Sequence, residues 1–156
     1  MQIAKRRKTN TSVYFSRASS ESGEQIQQRL TELVARIQAA RRGVAFNELM
    51  NLFVECSQVD WDGDGAERID VEVFHNARIF LETLPTAFPS PEVSAGCEGE
   101  VAFDWFPAPR SNFSVLIVPG GKVIYAGAER DRKFSGIARF DDRVPRAILD
   151  ELRQLF

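Results

Sequence analysis

The sequence predicts an α+β fold in which about three N-terminal helices pack on an antiparallel meander of four to five strands, closed by a C-terminal helix. Apolar residues recur at helical spacing in the first half of the chain and alternate with polar residues between about residues 100 and 140. Helices followed by a run of strands are typical of α+β domains. With 156 residues, 44% of them hydrophobic and 27% charged, the chain is long enough to build one core.

The first predicted helix runs from about Glu24 to Arg41. Ser22 and Gln25 match a capping box at its start, and Gly43 is a residue type that commonly follows the end of a helix. Its opposite face is polar, so this amphipathic helix either covers a core or pairs with a partner helix. One stripe holds its apolar side chains, which are Ile26, Leu30, Leu33, Val34 and Ile37.

A second helix is predicted from Phe46 to Ser57. Its apolar residues surround most of its circumference, so it is either deeply buried or part of an interface. Phe46 and Phe53 are therefore candidate contact residues.

A third helix is predicted after Asp70, which is a favourable N-cap residue. Ile69 before the cap and Phe74 in the first turns form a hydrophobic staple. Pro85 stops the helix. The residues predicted to be buried are Val73, Ala77, Phe80, Leu81 and Leu84.

The period then changes from helical to alternating. A proline-rich link at 86–99 precedes strands predicted at 100–106, 112–118, 122–127 and 133–140. The Gly120–Gly121 pair indicates a tight hairpin. A last helix holds Pro145 in its first turn, and its predicted buried residues are Ile148, Leu152 and Leu155.

Charge divides the sequence into a basic arm at residues 1–22 and a single α+β domain at residues 23–156. The arm is polar and predicted to be flexible, and the rest of the chain is net acidic. The arm's basic cluster could contact nucleic acid or an acidic partner, and the alternative is a solvated tail. The cluster consists of Lys5, Arg6, Arg7 and Lys8.

The opening residues lack the apolar core of a signal peptide, and no apolar run reaches the length of a membrane span. A cytoplasmic protein without membrane contact is therefore predicted, with Cys56 and Cys97 reduced. A disulfide between these two cysteines is the alternative.

The sequence lacks the residues that most catalytic mechanisms require. The one histidine, His75, falls opposite the apolar stripe of the third helix and is predicted to face solvent. The two isolated cysteines do not have zinc-site spacing, and no cofactor is predicted. The remaining hypothesis of an enzymatic function requires carboxylates such as Asp62 and Asp104 to converge in one pocket. The alternative for Asp104 is an ordinary solvent-facing position on a strand.

The stretch "VDWDGDGAERID" (59–70) begins like a calcium loop. Asp60, Asp62 and Asp64 occupy the first three ligand positions of that pattern, and Gly65 occupies its invariant glycine position. The twelfth position should be glutamate and is Val71. Any calcium site here is therefore predicted to be weak.

The competing interpretation of this stretch is a structural turn. Gly63 and Gly65 supply positive φ angles, and the aspartates cap their own turn. Trp61 and Ile69 anchor the turn to the core, and Asp70 caps the helix that follows. This structural interpretation is the favoured one.

Four segments resemble a widespread family of small uncharacterised bacterial proteins. The segments are "WDGDGAERI" (61–69), "NARIFLETLP" (76–85), "GEVAFDW" (99–105) and "GGKVIYAG" (120–127). The resemblance covers about residues 58–156 and is most specific in the W-D-G-x-G-A turn and the G-E-V-x-F-x-W strand. It implies a bacterial cytoplasmic protein tied to mobile-element or defence genes. The family commonly has an aromatic residue at the position of Asp64, which argues against a shared calcium ligand there.

The leading functional hypothesis is a non-catalytic protein–protein interaction module with an unidentified protein partner. The second helix and the Trp61–Trp105 region are the predicted contact surfaces, and burial of both tryptophans in the core is the alternative. Nucleic-acid or regulator binding through the arm, and weak calcium binding at 60–65, are the other hypotheses. Homo-oligomerisation remains open.

Overall fold

The computed structural model describes the backbone of residues 12–156 and the side chains of residues 22–156. Its five strands form one sheet in which each strand pairs antiparallel with the next along the chain. The predicted α+β fold with an antiparallel meander and a closing helix is confirmed. In chain order the elements are α1 (Ser12–Glu55), α2 (Val71–Thr83), β1 (Glu92–Ala95), β2 (Val101–Ala108), β3 (Ser111–Val118), β4 (Lys122–Glu129), β5 (Arg132–Arg139) and α3 (Arg146–Leu155).

The first two predicted helices are one continuous helix, α1, so the predicted stop at Gly43 was wrong. A glycine inside a helix costs only about 1 kcal/mol relative to alanine, and this cost is too small to end a helix whose next turn is anchored in the core. Ala45 and Leu49, directly after Gly43, are buried in the core and hold the helix there. The second predicted helix is thus the C-terminal part of α1.

The predicted boundary between the arm and the domain, at residue 22, lies within α1. Helix α1 begins at Ser12, inside the segment predicted to be flexible, and the sequence has no proline or glycine between Ser12 and Gly23 to prevent it. The basic cluster Lys5–Lys8 lies outside the described residues. By contacts between residues, the chain divides into two compact units between Ile37 and Gln38, within α1.

The core of the second unit, Gln38–Phe156, lies on one face of the sheet. Helix α2 contributes Phe80, whose ring stacks on Phe103 of β2 with centroids 5.0 Å apart. Helix α3 contributes Ile148 and Leu152 to the same cluster, as predicted. The buried strand residues alternate along the chain and are Val101, Phe103, Trp105, Phe113, Val115, Ile117 and Val123.

Helix α2 begins and ends where the sequence predicts. Asp70 occupies the N-cap position with an extended backbone, but its side chain does not cap the helix. Its Oδ1 instead lies 3.3 Å from Nε of Arg68. The position of the N-cap was therefore predicted correctly, but the expected hydrogen bond from the Asp70 side chain to the first turn of α2 does not form. The helix ends two residues before Pro85.

Strand β1 lies in the segment predicted to be a proline-rich link. Its four residues pair with β2, and Glu92 lies opposite Asp104. The hairpin between β3 and β4 is also one residue longer than the tight turn predicted, because Pro119 joins the two glycines in the loop. Gly120 and Gly121 have φ of 80° and 67°, which glycine adopts without strain.

Within the described residues, no helix has both the length and the apolar character needed to cross a membrane.

Candidate functional site

The segment that joins α1 to α2 forms a turn held by its own aspartates. Oδ1 of Asp60 accepts a hydrogen bond from the N–H of Gly65 at 2.8 Å. Oδ1 of Asp62 accepts from the N–H groups of Asp64 at 2.9 Å and Ala66 at 3.0 Å. Both carboxylates thus satisfy backbone donors that would otherwise be left open in the turn.

These hydrogen bonds change the acidity of one carboxyl group. The backbone N–H groups of Asp64 and Ala66 stabilise the charged form and lower the pKa of Asp62. Desolvation acts in the opposite direction and is the weaker effect. Asp62 is therefore an anion whose charge stabilises the turn near neutral pH.

The glycines of the turn have the positive φ angles that the sequence predicted, 76° at Gly63 and 88° at Gly65. Asp60 also has a positive φ of 64°, which the sequence gave no reason to expect. An aspartate tolerates this conformation better than most residues because its short polar side chain forms local hydrogen bonds.

The turn is fastened to its surroundings by backbone and indole hydrogen bonds. Nε1 of Trp61 donates to the carbonyl oxygen of Glu67 at 3.0 Å. The N–H of Glu67 donates to the carbonyl oxygen of Cys97 at 2.9 Å, and that of Ile69 to Cys56 at 2.9 Å. Ile69 is buried and Trp61 is half-buried, so both contact the core.

The candidate calcium ligands Asp60, Asp62 and Asp64 are all exposed. Among the described residues, no group of three or more His, Cys, Asp or Glu side chains is arranged to hold a metal ion. The geometry of this segment is that of a turn braced by Asp60 and Asp62.

The two cysteines differ in surroundings. Cys56 is buried and Cys97 is exposed, and both are free thiols. Burial raises the pKa of Cys56, and the negative charges of Glu55 and Asp62 raise it further. The Cys56 thiol is therefore held in its protonated, unreactive form.

Asp104 lies on the sheet face opposite the core, in an open cavity of about 320 Å³. It accepts a hydrogen bond from the hydroxyl of Ser114, and Arg41 and Glu92 also line the cavity. Asp62, by contrast, is exposed in the turn between the helices. The requirement that Asp62 and Asp104 converge in a pocket is therefore not met. His75 faces solvent, as predicted.

Of the predicted aromatic contact residues, Trp105 belongs to the core, and Phe46 and Phe53 are half-buried and pack against it. Trp105 is 3% exposed, and its Nε1 donates to the carbonyl oxygen of Pro89 at 2.8 Å. Phe53 stacks on Phe74 with ring centroids 4.3 Å apart, and Phe46 also packs against the core. Alternation along β2 places Trp105 beside Phe103 on the inner face, so Trp105 does not form an exposed contact surface.

Large apolar side chains are exposed on the C-terminal part of α1 at Val44, Met50 and Val54, and a regular stripe of them lies on its N-terminal part. Five side chains there, which we name the α1 stripe, are 46–59% exposed. The sequence predicted these residues as one stripe and left open whether they cover a core or pair with a partner helix. The α1 stripe consists of Ile26, Leu30, Leu33, Val34 and Ile37.

Two residues beside the α1 stripe were missed by the sequence analysis. Arg29 and Arg36 are exposed and border the same edge of the stripe. Their spacing of seven residues, which is two turns of helix, was the signal in the sequence that could have found them.

Comparison with known proteins finds no matching family model, no matching curated protein and no matching solved structure. The resemblance to a bacterial family with a W-D-G-x-G-A turn therefore stays a prediction.

Proposed function

We propose that this chain is a protein–protein interaction module and that the α1 stripe is its contact surface. The observation that carries the proposal is the exposure of about half of each of five large apolar side chains on one side of a single helix. Contiguous apolar surface bordered by polar residues is typical of protein interaction sites.

The spacing of the stripe supports binding to another helix or to a groove. Ile26, Leu30, Leu33 and Ile37 follow one another at intervals of four, three and four residues. Helices that dock through one apolar side use this spacing for their anchoring residues. Burying the exposed half of such a side chain contributes on the order of 1 kcal/mol. Five such side chains contribute about 5 kcal/mol, so a stable complex also needs the apolar and polar contacts that the partner adds around them.

Affinity capture from the native host with two matched double variants tests the proposal. Leu30→Gln with Leu33→Gln makes the stripe polar while keeping good helix formers in α1. Ile137→Gln with Phe106→Gln makes the same change at two exposed residues outside α1. We expect proteins that the wild-type chain captures to be lost with the first variant and retained with the second. Mass spectrometry of the captured proteins measures this.

Circular dichroism of both variants provides the control for folding. If the captured proteins are the same with wild type and with the Leu30/Leu33 variant, the α1 stripe is not the contact surface. If they are lost only with the Ile137/Phe106 variant, the contact surface lies on the sheet and the proposal is wrong.

A further inference from the structure

The α1 stripe has the spacing of a coiled-coil seam. Its apolar residues recur every seven residues in two series, Leu30 with Ile37 and Ile26 with Leu33. These series correspond to the a and d positions of a heptad, and Val34 adjoins them. The positions that flank such a seam are e and g. A partner helix that packs on the seam therefore also contacts the side chains at these two positions.

One flank of the seam is positively charged. Arg29 and Arg36 are separated by seven residues, so at about 100° per residue their directions differ by only about 20°. Both are exposed, and neither forms an ion pair with another described residue. The acidic residues Glu24 and Glu32 lie on the side of the helix away from the seam. Glu32 is three residues after Arg29 and four before Arg36, but its carboxylate accepts a hydrogen bond from Nε2 of Gln28 at 3.4 Å and forms no ion pair with either arginine.

We infer that the α1 stripe pairs with an amphipathic helix of another protein, and that aspartate or glutamate flanks the apolar seam of that helix. The inference rests on the proposed function and names the chemistry of its partner. Apolar layers supply most of the affinity in such a pairing, and the flanking charges choose the partner. An acidic flank places carboxylates beside Arg29 and Arg36, whereas a basic flank places like charges there.

A second copy of the chain fits this surface less well. In an antiparallel pair the seam is self-complementary, with Ile26 against Ile37 and Leu30 against Leu33 of the other copy. The same alignment brings the arginine flanks together, so that Arg29 faces Arg36 of the other copy. In a parallel pair Arg29 meets Val34 and Arg36 meets Arg41 of the other copy, and neither offers a negative charge. Neither alignment gives these arginines an acidic partner.

Two designed peptides of about three heptads test the inference on the full chain. Both have leucine and isoleucine at the seam; one has glutamate and the other lysine at every flanking position. Fluorescence anisotropy measures their dissociation constants at low and high salt. We expect the glutamate peptide to bind about tenfold more tightly at low salt, because two flanking charge pairs change from repulsive to attractive. The difference should shrink at high salt, since exposed charges are screened.

A charge-reversed variant identifies the residues responsible. Arg29→Glu with Arg36→Glu should invert the preference, so that the lysine peptide binds more tightly. Lys133→Glu with Arg143→Glu makes the same change in net charge at exposed residues outside α1 and should leave the preference unchanged. Both variants replace exposed side chains and are expected to fold.

Three results would overturn the inference. Equal binding of both peptides that is lost with Leu30→Gln and Leu33→Gln would keep the interaction surface but refute its charge selectivity. Self-association in sedimentation velocity that the same double variant abolishes would make a second copy the partner. If neither peptide binds, the partner is not an amphipathic helix and the inference is wrong. The capture experiment would still decide the proposed function.

Discussion

Helices α1 and α2 each carry an apolar stripe at helical spacing, yet only the stripe of α2 is buried. Val73, Ala77 and Phe80 of α2 are completely inaccessible, whereas the residues of the α1 stripe remain about half exposed. Both stripes follow the same periodicity, so a regular pattern identifies the apolar side of a helix without identifying what covers it. In α2 that side contributes to the stability of the fold, and in α1 it remains exposed to solvent.

The largest expected effect is the difference between what the two stripes contribute to the free energy of unfolding. Phe80→Ala removes a ring stacked on Phe103 and should lower the free energy of unfolding by about 3–5 kcal/mol. Leu33→Ala in the α1 stripe should change it by no more than about 0.5 kcal/mol. Urea unfolding followed by circular dichroism measures both. A loss of about 2 kcal/mol or more for Leu33→Ala would mean that the stripe is covered in the isolated chain.

The next effect concerns the loop against which the entry to α2 is packed. A Cβ at Gly99, which has φ +80°, would lie 2.6 Å from the carbonyl oxygen of Arg68. Gly99→Ala should therefore cost more than the roughly 1–2 kcal/mol of a positive φ alone. Gly120 also has φ +80°, but a Cβ there meets no atom within 4 Å, so Gly120→Ala is the matched control. Equal losses in urea unfolding would show that the contact with Arg68 does not matter.

A smaller effect of opposite sign is expected in α1. Gly43 is inside the helix, its φ is not positive, and a Cβ there meets no atom within 4 Å. Gly43→Ala should thus stabilise the chain by about 0.5–1 kcal/mol, because alanine loses less conformational freedom on folding. Gly121→Ala, at φ +67°, should destabilise it. A loss of stability with Gly43→Ala would indicate that α1 breaks where the sequence first suggested.

The smallest effect lies in the turn between the two helices. Because folding lowers the pKa of Asp62, its contribution to stability is fully present above the pKa of the unfolded chain, about 3.8. That contribution is lost as the pH falls through the lower folded-state value. Between pH 6 and pH 3 the melting temperature should therefore fall further for wild type than for Asp62→Asn.

Asp64→Asn provides the control for this pH experiment, because it removes a negative charge from the same turn without removing a side-chain hydrogen bond. It should retain the pH response of wild type. The same response in Asp62→Asn and wild type would contradict the role of the Asp64 and Ala66 amides.

The elements that the sequence predicted well are those whose signals are local. The stripe of α2 together with Pro85 defined that helix, and the alternation around Phe103 and Val115 defined the faces of β2 and β3. A buried face imposes its period directly on the sequence, so these elements needed no knowledge of their neighbours.

The elements that were missed depend on partners distant in the chain or on small energies. Strand β1 has only four residues, and it is a strand because β2 supplies its hydrogen bonds. Gly43 carries a small helix penalty that burial of Leu49 outweighs. The carboxylate of Asp70 pairs with Arg68 and does not accept a hydrogen bond from the first turn of α2. These two exposed contacts have similar energies, so the sequence does not show which one forms.

The candidate site was only half predictable for a related reason. The five residues of the α1 stripe were identified by their spacing, but their exposure depends on what the rest of the fold covers. The aromatic residues predicted as contacts, above all Trp105, are large and apolar, and both properties are equally typical of core residues. Burial of Trp105 follows from its place on the inner face of β2.

The order of the strands has a consequence for how the chain reaches its native state. Every strand of the sheet pairs with its neighbour in sequence, and the loops between β2, β3, β4 and β5 are short. Short loops lose little entropy on closure, and low contact order is associated with rapid folding. The hairpins β3–β4 and β4–β5 each have eight paired positions, around loops of three and two residues, so the three-stranded unit β3–β5 is a natural nucleus. We expect the sheet to assemble from it by successive hairpins, with α2 and α3 docking afterwards onto a face that already exists.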